Sequence, residues 1–271
     1  MSIVDEWTRD LRDVLASEPS TTADVRIGIF YTGVRLASGE VGVAFSPRDM
    51  SDTVCCPRSA SSAPLAGSLA GRDAWSLAVY AASDAPLDRA VGIASLNALS
   101  ARALTRAVPH GCTLIPGQDA LDAAGVRPVD RVVLVGAFTP FLKVLKGNVS
   151  DLRVIDKHPT ALREDEAALW RSPTRAFETI ADADVVIISG SALVEGGLDG
   201  LLDAATAARR VVLAGPTASP WPPTFFARGV DVIGGVRITA GEKAMQVVSE
   251  GGSGYVLFND VGEKVTITRA G

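Results

Sequence analysis

The sequence predicts an α/β protein in two parts, an N-terminal α+β unit followed by a doubly wound parallel sheet. Three observations predict it. After residue 131, short all-apolar runs recur between segments of helical character, as in parallel strands covered on both faces. Within the first fifty residues the apolar period changes from helical to alternating. Between the parts, residues 109–128 hold three prolines, three glycines and little periodicity. That places domains at 1–112 and 113–271.

Residues 5–16 set Trp7, Leu11, Val14 and Leu15 at helical spacing on an otherwise charged helix. Val25, Ile27 and Ile29 then alternate with Arg26, Gly28 and Phe30. Beyond the Ser38-Gly39 turn, Val41, Val43 and Phe45 alternate with small residues, which predicts an antiparallel hairpin with one buried face. Residues 50–71, rich in Ser, Ala, Pro and Gly, read as loop with one short helix over "SSAPLAGSLAG", and "WSLAVYAA" after them reads as strand-like. Residues 87–108 form a long helix whose Val91, Ile93, Ala94, Leu96, Ala98, Leu99, Ala101 and Leu104 surround its axis, as in a helix buried on nearly all sides. Asn97 lies in its middle, either a core amide tied to a neighbouring loop or a binding residue facing a cleft.

In the second part, "RVVLV", "LRVID", "DVVIIS" and "RRVVLAG" are the parallel strands. Ser172-Pro173 starts one helix, "GLDGLLDAATAA" forms a second, and "GEKAMQVVSEGG" a third that ends on glycine. Ligands of such sheets bind beyond the carboxyl ends of the strands. Those ends are "GAFTPF" (136–141), "DKHP" (156–159), "SGSALVEGG" (189–197) and "GPTASPWPP" (215–223), all rich in residues that let backbone amides approach a ligand.

Composition bounds the function. Apolar residues are 47% and charged residues 21%, the balance of a globular chain. The net charge is −5 and no dense Lys/Arg run occurs, which argues against nucleic-acid and anionic-membrane partners. The apolar runs at 132–135 and 185–188 fall far below the roughly 20 residues that span a bilayer. Asp5, Glu6 and Asp10 stand where a secretory leader needs a basic start and an apolar stretch. With three cysteines and no sign of secretion, the expected setting is the cytoplasm, with reduced thiols.

Three chemistries are represented in part. Gly136 ends one strand and Asp156 the next, 20 residues on, the separation of a dinucleotide-binding fold's ribose-binding acid. The loop Gly-Ala-Phe-Thr-Pro-Phe, however, lacks the later glycines of GxGxxG; Phe138 and Pro140 would crowd a pyrophosphate, and Pro140 donates no amide. The metal candidates are Cys55, His110, Cys112 and His158, with Cys56 and Asp156 beside them. They show no recognised zinc spacing, so ligands would have to gather across the fold; plain buried thiols are the alternative for Cys55 and Cys56. Nucleophilic catalysis has no GxSxG elbow and only two histidines as bases. The run Glu164, Asp165, Glu166 reads as a solvated helix start, Glu195 as either helix cap or site residue, and Trp221 as cleft wall or core cover.

The ordered runs "CPRSASSAPLAGSLAG", "AVGIASLNALSARAL", "VGAFTPF", "VIDKHP", "DVVIISGSALVEGGLDGLL" and "VLAGPTASPWPPTFFARGVDVIGG" resemble the "putative heavy-metal chelation" family, long known as a domain of unknown function. The resemblance covers nearly the whole chain. It implies an enolase N-terminal-like domain, a Rossmann-like domain and a site in the cleft between them, containing Asn97, Gly136, Phe138, Pro140, Asp156, Gly190, Ser191, Gly215 and Pro216. Two departures stand out: Asp156 replaces a longer Glu, and "SGSALVEG" replaces a loop of the form TGTTLING, which puts Glu195 in place of an amide. The expected function is a small-ligand-binding protein that binds or chelates a transition metal or metal chelate in that cleft. The rivals are an enzyme whose Rossmann-like half binds a nucleotide-type cofactor, NAD or S-adenosylmethionine, and a scaffold subunit of a larger assembly. The expected partners are a small molecule or metal ion, with a homodimer as a further candidate.

Overall fold

The computed structural model of the protein describes residues 1–16, 18–47 and 65–270. Helix α1 (Ile3–Val14) starts at a reciprocal cap between Ser2 and Asp5 and buries Ile3, Trp7 and Leu11. A three-stranded antiparallel sheet follows, β1 (Thr22–Ile27), β2 (Tyr31–Leu36) and β3 (Val41–Phe45), in that order. The expected hairpin is therefore a meander with one strand more. Gly33 and Arg35 break the apolar alternation of β2, yet as the central strand it is more buried than β1. Of the expected apolar face, Ile27 at the end of β1 is 38% exposed and Ile29, in the turn beyond it, 64% exposed, because the long helix Pro86–Arg106 packs against β3 and β2.

"WSLAVYAA" is helical, not a strand. Helix α2 (Ala74–Ala78) is capped by the Asp73 side chain, which accepts from the Trp75 amide, and runs on as a 3₁₀ turn over Val79–Ala82. Trp75, Leu77, Ala78 and Ala81 are buried while Val79 is 64% exposed, a helical and not a strand pattern. The short helix expected over "SSAPLAGSLAG" falls partly outside the described residues; from Leu65 onward the chain there is in turns. Helix α3 (Pro86–Arg106) is as expected, with every residue from Ala90 to Ser100 buried.

The second sheet is built from β4 (Cys112–Pro116), α4 (Ala120–Ala124), β5 (Arg131–Val135), α5 (Thr139–Leu145), β6 (Asp151–Ile155), β7 (Trp170–Arg171), α6 (Ala176–Ala181), β8 (Val185–Ser189), α7 (Ser191–Glu195), α8 (Leu198–Ala204), β9 (Arg210–Ala214), α9 (Pro222–Ala227), β10 (Val232–Ile238), α10 (Gly241–Ser249), α11 (Gly254–Asn259) and β11 (Gly262–Arg269). The strand order is β4-β11-β10-β9-β8-β5-β6-β7, and among the described residues β11 alone runs against the rest. The four expected strands are β5, β6, β8 and β9, paired in parallel.

Alternate residues of these strands serve two cores. Val132, Leu134, Val154, Ile187 and Val212 pack under α4 and α5. Val133, Ile155, Val186, Ile188 and Leu213 share one continuous core with Trp7, Leu36, Ala44, Ile93 and Leu96 from the N-terminal part. Helix α3 thus lies between the small sheet and one face of the large one, which is why apolar residues surround it. A third cluster, Val41, Val43, Val236, Met245 and Leu257, seats α10 and α11 against both sheets.

Candidate functional site

Strand order locates the site. From β5 the chain crosses to β6 on one side; from β8 it crosses to β9 on the other, and β5 and β8 are neighbours. Their crossovers leave in opposite directions, and it is at such a reversal that doubly wound sheets place their ligand crevice, between the loops at the strands' carboxyl ends. Gly136 follows β5 with φ of +99°, and a Cβ there would come within 3.0 Å of the Ser189 Cβ at the end of β8. The two walls of the crevice therefore touch at its floor.

Asp156, beyond β6, holds the loops in register. One carboxylate oxygen accepts from the Ala137 amide at 3.0 Å and the other from the His158 amide at 3.0 Å, while its backbone carbonyl accepts from the Trp170 indole. A carboxylate offers about four acceptor sites, so capacity remains beyond these two amides. Next to it, Lys157 pairs with Glu195 at 3.1 Å, with both side chains partly exposed. Glu195 is the last residue of α7, so "SALVEGG" is a short helix rather than the expected loop. Gly196 closes it in the left-handed conformation.

Ser189 Oγ accepts from both the amide and the hydroxyl of Ser191, at 3.2 and 3.0 Å. Gly190 lies so close to the loop after β9 that a Cβ would stand 2.6 Å from the Ala218 amide nitrogen, leaving no room for a side chain. Beyond β9, Gly215 has φ of +113° and lies beneath the edge of the Phe138 ring, at 3.5 Å from an added Cβ. Phe138 also stacks on Phe141, with centroids 5.2 Å apart. Pro140 is exposed in the first turn of α5, and Pro216 is buried.

Asn97 is the link from α3 to this rim. Fully buried, it donates from Nδ2 to the carbonyls of Val43 on β3 (2.8 Å) and Thr217 (2.9 Å). Thr217 in turn accepts the Phe45 amide on its hydroxyl. Asn97 Oδ1 has no partner among the described residues. This is the geometry of the core amide tied to a neighbouring loop. Trp221 is buried, as a core cover would be.

The described metal candidates, His110, Cys112 and His158, are not brought together. β4 pairs with β11 so that Cys112 lies opposite Arg269, at the amino edge of the parallel strands, whereas His158 follows β6 at the carboxyl edge. His110 is exposed two residues before Cys112, and burial pushes the Cys112 thiol up from its ordinary value. Cys55 and Cys56 lie outside the described residues. Among the described residues no three His, Cys, Asp or Glu side chains converge as a metal site. Glu164 and Asp165 fall in a 3₁₀ turn whose Glu166 carboxylate accepts the Arg163 amide, an end-capping role.

Lys157, Ser189 and Thr217 escaped the sequence reading. Ser189 carried a usable signal, the polar residue that ends an otherwise apolar strand; Lys157 and Thr217 become visible only through their partners. Two hollows lie away from the crevice. One of about 340 Å³ is bordered by Asp151, Arg153, Arg171 and Arg175 beside β6 and β7. The other, about 260 Å³, lies between the start of α1, Arg89 and the end of α7. No helix among the described residues is long and apolar enough to cross a membrane.

Comparison with known proteins places this architecture. Residues 119–267 match the DUF364 family, described as "Putative heavy-metal chelation", and residues 10–100 match DUF4213, which carries the same description. An uncharacterized protein of Methanocaldococcus jannaschii is 27% identical over 183 residues, 67% of this chain and 66% of that relative, just under two thirds of its length. A crystal structure of a DUF364 protein of unknown function from Pyrococcus horikoshii is similar in fold, with a TM-score of 0.78 at 20% identity over 98% of this chain and 100% of that one. A second, from Desulfitobacterium hafniense, gives 0.75 at 19% identity over 97% and 100%. Since the first match spans more than half of the sequence, the chain belongs to the DUF364 family.

Proposed function

We propose that the protein binds a small polar ligand at the β5–β8 crevice, and that the ligand is a transition metal carried as a complex with small organic donors. The single observation behind this reading is the reversal of strand order between β5 and β8, which gathers Ala137, Asp156, Lys157, Ser191 and Glu195 at one rim. The family's description supports a metal as cargo. The scattered donors support its arrival already coordinated, because the described side chains offer too few ligands to strip an ion of its shell. Lys157 and Glu195 satisfy each other's charge and can turn to opposite charges on a complex, while Ser189, Ser191 and the backbone amides supply neutral hydrogen bonds.

The test uses tag-free protein. Nickel, zinc, copper and iron are added alone and as citrate complexes, and thermal shift and calorimetric titration are recorded. One of the complexes is expected to stabilise the fold by about 2.7 kcal/mol at a hundredfold excess over its dissociation constant. The same complex should lose affinity with Ser191→Ala and Glu195→Gln. Silence with every complex overturns the reading. Stabilisation by bare ions alone would instead assign the donors to residues outside the crevice.

A further inference from the structure

Two residues were expected to obstruct a pyrophosphate at the "GAFTPF" loop, and the structure separates them. Pro140 stands exposed on the first turn of α5, away from the crevice floor. Phe138 is rooted beyond β5, yet its ring meets Gly215 beyond β9, and β8 lies between those strands. With neighbouring strands about 4.8 Å apart, the ring reaches across the carboxyl end of β8. It is backed by Phe141, and the left-handed backbone at Gly215 leaves a bare surface for its edge. In dinucleotide-binding folds this is the place where a second glycine lets the pyrophosphate approach the backbone.

We infer that Phe138 is the specificity-determining residue of the crevice, a fixed roof that keeps out nucleotide-sized ligands. The inference rests on the small-ligand reading above and adds an upper bound to the ligand's size. Two other parts of a nucleotide site persist around the ring. Gly136 keeps its positive φ at the end of β5, and Asp156 keeps spare acceptor sites for a ribose hydroxyl at the end of β6. Removing the ring uncovers them.

The experiment titrates wild-type protein, Phe138→Ala and Phe138→Leu with NAD, ATP and S-adenosylmethionine by calorimetry, with circular dichroism as the check on folding. Wild type is expected to bind none measurably. Phe138→Ala should gain at least about tenfold in affinity for one of them, with Phe138→Leu between the two. A folded Phe138→Ala without any gain overturns the roof and leaves the metal-complex titrations as the separate judge of the small-ligand reading. A wild type that binds nucleotide as tightly as Phe138→Ala overturns both. If Phe138→Ala does not fold, Phe138→Leu decides alone: a gain supports the inference and no gain overturns it.

Discussion

Asn97 concentrates more of the architecture than any other single side chain. Its Nδ2 serves two carbonyls, one on β3 and one in the loop after β9, at full burial. Asn97→Ala strands both carbonyls, and buried unsatisfied groups cost about 1–3 kcal/mol each, less what is regained by removing the unpartnered Oδ1. Net destabilisation of about 1–3 kcal/mol in urea unfolding is the expected result. Asn97→Asp should cost more, since it turns a carboxylate towards two carbonyl oxygens. Cys112 makes the opposite case, a residue whose sequence promise its surroundings withdraw. Half-buried and with its thiol pushed up by desolvation, it is less a thiolate at neutral pH than a free cysteine. Its peptide should be alkylated by iodoacetamide at pH 8 more slowly than glutathione, as followed by mass spectrometry; an equal rate contradicts the burial argument.

Elements were legible where one physical signal dominated. β5, β6, β8 and β9 are apolar throughout because both faces are covered, and α3 is apolar all round because it lies between two sheets. The misreadings occurred where tertiary context chose between equals. The stretch through β1 alternates well, but α3 covers β3 and β2, so Ile27 and, in the turn beyond, Ile29 stay exposed. In "WSLAVYAA" the apolar run fits either period, and the decision came from Asp73, whose carboxylate accepts from the amides of Trp75 and Ser20. Asp73→Ala should therefore cost about 1–2 kcal/mol, the loss of an N-cap, seen as a lowered Tm. The rim loops could be read from their residue types, but the contacts that organise them could not. Phe138 on Gly215 and Lys157 with Glu195 join residues 77 and 38 positions apart, beyond any local period.

At the scale of the whole molecule, the two sheets share one continuous core through α3, and Asn97 fastens β3 to the loop after β9. Cooperative unfolding follows. Differential scanning calorimetry should show a single transition with matching van't Hoff and calorimetric enthalpies, and two resolved transitions would contradict the shared core. A shared axle also rules out the clamshell. Proteins that swallow a ligand by swinging two lobes about a linker need lobes that part without tearing their interior. Here parting would expose the middle of α3 to water, so entry to the rim falls to motions of side chains and short turns, which are small and fast.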